Sequence, residues 1–154
     1  MNPADPGRLQ WRCLPFAALQ ADTLYAVLRL RSEVFVVEQQ CVFLDMDDAD
    51  ADCLHLLGER NGQLVASARL VPPGLKYPEA SIGRVVTAPG ARGGGLGHQL
   101  MAEAVRVLCG LWGQQPIRIG AQAHLQAFYR RHGFETDGPV YQEDGIDHVE
   151  MRRP

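Results

Sequence analysis

The run Val85-Val86-Thr87-Ala88-Pro89-Gly90-Ala91-Arg92-Gly93-Gly94-Gly95-Leu96-Gly97 constrains this chain more than any other segment. The β-branched residues Val85, Val86 and Thr87 read as the end of a strand, Pro89-Gly90 stops it, and a helix follows the glycines. Over residues 96–112, Leu96, Leu100, Ala104, Val107 and Leu111 form one stripe with Met101, Val105 and Leu108 beside it, the pattern of a helix pressed on a sheet. At such a helix start the first backbone amides are free and the helix dipole favours an anion. The glycines let a phosphate approach without a Cβ in the way, and Arg92 adds a positive charge, an arrangement that suits a pyrophosphate. A nucleoside triphosphate loop would need Gly-Lys-Ser or Gly-Lys-Thr, where this chain has Leu96-Gly97-His98 after Gly95. A dinucleotide fingerprint would need a glycine three residues after Gly95, where His98 stands.

The remaining segments supply a sheet for this unit. Leu9, Trp11 and Cys13 alternate with Gln10 and Arg12, the period of a half-buried strand, and Leu24, Val27, Leu28 and Phe35 mark one face of a helix over residues 22–35. Residues 53–59 and 63–71 read as strands joined at Asn61-Gly62, a strong hairpin signal because both positions tolerate positive φ. Residues 80–88 are β-rich, 117–120 a short strand, 123–132 a helix closed by Gly133, and 134 onward a hairpin region through Val149 and Met151. The order β, α, β, β, β, α, β, α, β, β predicts an α/β fold with a mixed sheet covered by helices. A chain of 154 residues, 46% hydrophobic, is one domain that folds without disulfides or metal, with residues 1–8 expected as a loose tail.

The net charge of −3 argues against a nucleic-acid binder that relies on a basic face. It conceals a division: residues 32–59 hold eight acids and no Lys or Arg, whereas residues 80–134 hold six Arg and one Glu. The stretch 45–52 shows no apolar periodicity and is expected as a loop that its like charges keep solvated. Residues 1–10 lack the apolar core of a secretory signal, and no run approaches the ~20 apolar residues that span a bilayer, so a cytoplasmic protein without membrane partners is expected. Cys13, Cys41, Cys53 and Cys109 form no CxxC pair and read as buried thiols, not metal ligands.

A second cluster lies at Gln122-Ala123-His124-Leu125-Gln126-Ala127-Phe128-Tyr129-Arg130-Arg131-His132-Gly133-Phe134, where Leu125, Phe128, Tyr129 and His132 share one helical face. On that spacing alone Tyr129 is as well a core aromatic as a functional one. Taken together, Arg-x-x-Gly-x-Gly opening one helix and a later helix ending Tyr-x-x-x-Gly-Phe resemble the motifs of the GNAT superfamily of acyl-CoA-dependent N-acetyltransferases over residues 82–134. Further matches at Leu30-Arg31-Ser32-Glu33-Val34-Phe35-Val36-Val37-Glu38-Gln39, at Gly120 to Gln126 and at Glu143-Asp144-Gly145-Ile146 resemble the ElaA branch and extend the likeness over most of the chain.

The resemblance implies a GNAT-like fold with a mixed, mostly antiparallel central sheet, and acetyl-CoA as co-substrate. It implies that pantetheine pairs with the backbone of Val85, Val86 and Thr87 where two strands splay. The pyrophosphate would sit on Gly93, Gly94, Gly95, Leu96, Gly97 and His98, beside Arg92. Tyr129 would donate a proton to the departing thiolate, and Gln122 would hold a hydrogen bond where relatives often carry Asn. A phenol of pKa ~10 can protonate a thiolate whose acid has a pKa of ~8.5. Relatives often place a carboxylate early on the fourth strand as general base, but here Ser81, Ile82 and Gly83 stand nearby. The base is therefore open among Glu38, Glu33, His55, Glu143, Asp144 and His148, with Glu38 the tentative assignment.

The expected acceptor is a primary amine of a small molecule or peptide, carrying positive charge because acid-rich segments flank the anion site. A homodimer is possible on the resemblance. Two other functions remain open: acyl-homoserine-lactone synthesis, which residues 31–35 faintly resemble, and a CoA-binding module without catalysis.

Overall fold

A computed structural model describes residues 7–154; residues 1–6 of the expected tail lie outside the described residues. Strand β1 (Gln10–Pro15) leads into helix α1 (Ala21–Arg31), whose path continues as a π-helical stretch over Ser32–Glu38. The sequence pattern predicted an ordinary helix ending near Phe35. Instead the amide of Gln39 bonds to the carbonyl of Val34 and that of Cys41 to Val36, both spanning five residues. Val34, Val36 and Val37 crowd this turn, and β-branching stiffens χ1 there. Such widened turns often sit at functional positions.

Strands β2 (Leu54–Arg60) and β3 (Gln63–Val71) pair as the predicted hairpin, with Arg60 opposite Gln63 and with Asn61 and Gly62 at φ 53° and 72°. Strand β4 (Ser81–Thr87) completes a four-stranded antiparallel sheet in the order β1-β2-β3-β4. Helix α2 (Leu96–Trp112) then crosses to β5 (Ile117–Gln122), followed by a 3₁₀ turn (Ala123–Leu125) and the short helix α3 (Gln126–Arg130). Strands β6 (Glu135–Thr136), β7 (Tyr141–Glu143) and β8 (Ile146–Arg153) finish the chain, with β8 pairing antiparallel to β5, β6 and β7.

The two sheets meet at one parallel bridge, Ala80 to Ile117, backed by the amide of Arg118 on the carbonyl of Ala80. Beyond it β4 and β5 diverge, leaving a wedge between the sheets. The expectation of a mixed, mostly antiparallel sheet flanked by helices is met in this split form.

Helix α2 holds the halves together. Its Leu100, Met101, Ala104 and Leu108 are buried against Leu56, Ala68, Leu70 and Ile82 of one sheet and Ile117, Ile119, Val149 and Met151 of the other. Each fully buried leucine contributes roughly 1.5–3 kcal/mol. A smaller cluster, Leu30 and Val34 on Val86, seats α1 and the π turn on β4.

Candidate active site at the strand wedge

The predicted strand–glycine turn–helix unit forms as β4, residues 88–95 and α2. Gly93 and Gly95 have φ of 101° and 76°, left-handed backbone that side chains resist. A Cβ built at Gly93, Gly94 or Gly95 meets nothing within 4 Å, so the loop fronts open space. The amide of Gln99 is bonded back to Gly95, which leaves the amides of Leu96, Gly97 and His98 directed out of the helix start. A pyrophosphate fits this cradle: donors and dipole are in place, and no side chain fills it.

Arg92 does not point freely into that space. Its guanidinium donates to the carbonyl and the hydroxyl of Thr87 at 3.2 and 3.3 Å and pairs with Glu38 at 2.8 Å. Glu38, the base candidate singled out from the sequence, is thus engaged on the glycine loop and ties the π turn to it.

The second sequence cluster docks on the first. Phe128 packs 3.5 Å from where a Cβ of Gly97 would sit, and the His98 ring lies 4.6 Å from the Phe128 ring centroid. Arg131 donates to His98 Nε2 at 3.1 Å, so His98 carries its proton on Nδ1 and donates it to His132 Nε2 at 2.9 Å. Burial and the neighbouring His98 and Arg131 push His132 down, which favours its uncharged form. Sequence reading missed this relay, which anchors the Arg131 cation at the start of α2. The adjacent Arg130-Arg131-His132 was its only signal.

Tyr129 is 9% exposed and boxed by Phe128 and Phe134 at 5.1 and 6.0 Å, both edge-on. It is therefore a core aromatic as well. Its hydroxyl has no hydrogen-bond partner among the described residues, and burial pushes its pKa up to about 12. Gln122 ends β5 and donates to the side-chain oxygen of Gln39 at 3.3 Å, joining the wedge to the segment after the π turn.

Strand β4 carries a feature that pattern reading did not find. Ser67 faces Val86 but Arg69 faces Gly83, so β4 has one extra residue, and Arg84 sits at φ 49°. This is a β-bulge beside the wedge, placed where such kinks commonly re-aim a strand at a site. From Ile82 to Thr87 the β5-facing edge of β4 has no strand partner, which leaves backbone groups open to an amide-bearing chain.

The bulge is held by the acidic stretch, where the expected solvated loop holds for Asp47, Asp48 and Asp52, which are exposed, but fails for two other aspartates. Asp45 and Asp50 are only 5% and 9% exposed. Arg31, 1% exposed, donates to Asp45 at 2.8 Å and to both oxygens of Asp50 at 2.8 and 3.2 Å. Arg69 donates to Asp47 and Asp50, and Arg84 pairs with Asp45 at 2.8 Å while donating to its carbonyl. Three arginines from α1, β3 and β4 thus draw in Asp45 and Asp50, which a sequence reading leaves in water, and pair with Asp47 at the surface. Hydrogen bonding by Arg69 lowers the pKa of Asp47; burial acts to raise that of Asp50, but Arg31 and Arg69 outweigh it and the net shift is down.

The other base candidates separate clearly. His55 is 1% exposed, donates from Nε2 to the carbonyl of Asp50, and is pushed down by burial, so it is a structural residue under the aspartate loop. Glu33 is exposed on the π turn, away from Arg31, whose guanidinium is taken by Asp45 and Asp50. Asp144 lies in the β7–β8 turn and accepts from Cys41 Sγ through its carbonyl. His148 and Glu143 face each other on neighbouring strands at 3.5 Å.

Comparison with known proteins fits this geometry. The model of the acetyltransferase (GNAT) domain family matches residues 26–153. The chain belongs to the GNAT family. It is 42% identical over 147 residues to Protein ElaA of Escherichia coli K12, covering 94% of this chain and 96% of that one. Among solved GNAT-fold structures, an acyl-CoA N-acyltransferase from Pseudomonas aeruginosa is 48% identical, with a TM-score of 0.91 over 96% of this chain and 100% of that one. The structure of Escherichia coli ElaA superposes with a TM-score of 0.88 at 40% identity, covering 96% and 100%. The homoserine-lactone synthase LasI shares the fold alone, at 15% identity and a TM-score of 0.78. Among the described residues no helix is long and apolar enough to cross a membrane, and no group of three or more His, Cys, Asp or Glu is placed to hold a metal ion.

Proposed function

We propose that this GNAT protein transfers an acetyl group from acetyl-CoA directly to a primary amine of a small molecule or peptide. The observation that carries the reading is the open glycine cradle, left-handed at Gly93 and Gly95, at the start of a helix whose amides point into it. In this reading Gly93, Gly94, Gly95, Leu96, Gly97 and His98 hold the pyrophosphate through their backbone. Arg92 and Arg131 supply the neighbouring positive charge, and Val85, Val86 and Thr87 offer backbone to the pantetheine amides. Acetyl-CoA supplies a thioester whose leaving thiol has a pKa of ~8.5.

Tyr129 is the proton donor to the departing sulfur. At about 12 its phenol is fully protonated at neutral pH. Transfer to a fully formed thiolate after bond cleavage would be uphill by roughly 5 kcal/mol, so the donation belongs with carbon–sulfur cleavage, as charge builds on sulfur. Gln122, at the end of β5 with its amide on Gln39, offers the wedge a side-chain hydrogen bond for the cofactor. Glu38 serves as the tether of Arg92 in this reading rather than as base.

The test is thiol release from acetyl-CoA across a panel of amines, with Tyr129→Phe beside the wild type. We expect the variant to bind CoA within about threefold of wild type and to lose at least tenfold in kcat; unchanged turnover would remove Tyr129 as acid. Tight CoA binding with no thiol release on any amine would leave a non-catalytic CoA-binding module instead.

A further inference from the structure

The wedge has a second lining, on the face of β5 and β8 that turns away from α2. Gly120 pairs with Glu150, Gln122 with His148, and His148 with Tyr141, so these residues share one face. Their neighbours Ile119, Ala121, Val149 and Met151 are buried in the core. Gly120 is bare for a reason. A Cβ there would meet the hydroxyl of Tyr141 at 2.8 Å and that of Tyr77 at 3.1 Å. Two phenols converge over half-buried backbone, and neither hydroxyl has a hydrogen-bond partner among the described residues. Burial raises both above their ordinary range, so both stay protonated near neutral pH.

His148 lies beside them, 9% exposed and stacked on Tyr141 at 5.8 Å between ring centroids. Its Nδ1 is 2.8 Å from the carbonyl oxygen of Ile146. A carbonyl only accepts, so Nδ1 holds a proton and Nε2 is the nitrogen left to take one. Nε2 faces a carboxylate oxygen of Glu143 at 3.5 Å, and the Glu143 side chain is half exposed. With the imidazole neutral, two acceptors face each other with no proton between them. A bound ammonium would supply one. Arg118 and Glu150 lie on the same face, but Arg118 is already bound to Glu79, Asp137 and Glu150. From the loop before β4, the Lys76 ammonium sits 5.4 Å from the Tyr77 ring centroid and acts favourably on Glu143. Glu143 is thus the carboxylate of this face that no arginine holds.

We infer that His148 is the general base for the acceptor, with Glu143 pairing its imidazolium and with Tyr77 and Tyr141 seating over Gly120 a primary amine that arrives as an alkylammonium. The inference rests on the acetyl-transfer reading and names its acceptor half-site. The ammonium gives one proton to His148 Nε2, which passes it to solvent past the exposed Glu143. The freed nitrogen lone pair forms the bond to the acetyl carbon as the carbon–sulfur bond breaks, and sulfur takes a proton from Tyr129. The second nitrogen proton restores the Tyr129 phenol through solvent. One ammonium and one thioester give one amide, one thiol and one proton.

The experiment compares wild type with His148→Asn, Glu143→Gln and Tyr141→Phe, using an alkylamine of pKa ~10 from pH 6 to 10. We expect His148→Asn to lose about 100-fold in kcat/KM at pH 7 and to recover most of it by pH 10, where the amine no longer needs a base. A second measurement needs no turnover: calorimetric titration of the amine into the CoA-bound protein, with imidazole nitrogen shifts recorded by NMR. There, Glu143→Gln and Tyr141→Phe should weaken amine binding about three- to tenfold, and the amine should move the His148 Nε2 signal of the wild type. A loss below tenfold at pH 7, a deficit that does not change with pH, or an unmoved Nε2 signal would overturn the assignment while wild-type turnover leaves acetyl transfer standing. Wild type that binds CoA yet acetylates no amine would fail both.

Discussion

Two charged regions flank β4, and they resolve their charge in opposite ways. On one side, Asp45, Asp47 and Asp50 meet Arg31, Arg69 and Arg84 in a closed network with its core out of water. On the other, the loop ahead of α2 presents amide donors, with Arg92 and Arg131 close by, to open space. Both are clusters of polar groups beside one strand. The first is satisfied within the chain and fixes the bulge at Arg84. The second has donors without an internal acceptor, and that imbalance is why it is proposed as the ligand site.

This contrast can be broken from either side. The largest effect is expected for Arg31→Ala, which takes the buried cation from between Asp45 and Asp50, leaves them only Arg84 and Arg69, and should cost about 3–5 kcal/mol of stability in urea unfolding. A loss under 1 kcal/mol would show that the network is ornamental to the fold. Gly94→Val should do the reverse. A Cβ there has nothing of the fold within 4 Å, so the melting temperature should stay within a degree or two, while CoA affinity falls at least tenfold, or ~1.4 kcal/mol. Unaltered affinity by calorimetry would move the phosphates off this loop.

The smallest effect is on the pH dependence of the melting temperature. Asp47 and Asp50 have lowered pKa values when folded, so their contribution is complete above the unfolded carboxylate value of ~3.9 and is lost as pH falls through the lower folded values. His55, pushed down by burial, likewise resists protonation in the fold and adds an acid-side loss that begins below ~6.5. The melting temperature should therefore decline gently from pH 6.5 to 4 and more steeply below. A flat profile to pH 3 would contradict the network as drawn.

Much of the site was legible because its signals are local. Left-handed glycines at a strand–helix junction are demanded by backbone sterics, and Asn61-Gly62 and Asp144-Gly145 each close a hairpin at positive φ. The apolar stripe of α2 likewise announced the element that joins the sheets. What was not legible depends on partners far apart in sequence. The stretch 45–52 reads as solvated, because the arginines that neutralise it lie on α1, β3 and β4. His148 and Glu143 were two names among six candidates until strand register set them 3.5 Å apart.

By itself, the sequence determined the strand, the glycine cradle and the helix that follows it, because each depends on φ preference, apolar period and helix-end chemistry within a few residues. The tertiary structure alone decided which charges are neutralised within the chain and which donors are left without an internal acceptor. It also placed the bulge at Arg84 and turned Arg92 back onto Glu38. The physical reason is that a charge is settled by whatever stands within hydrogen-bond distance, and in this chain those neighbours are brought together by folding.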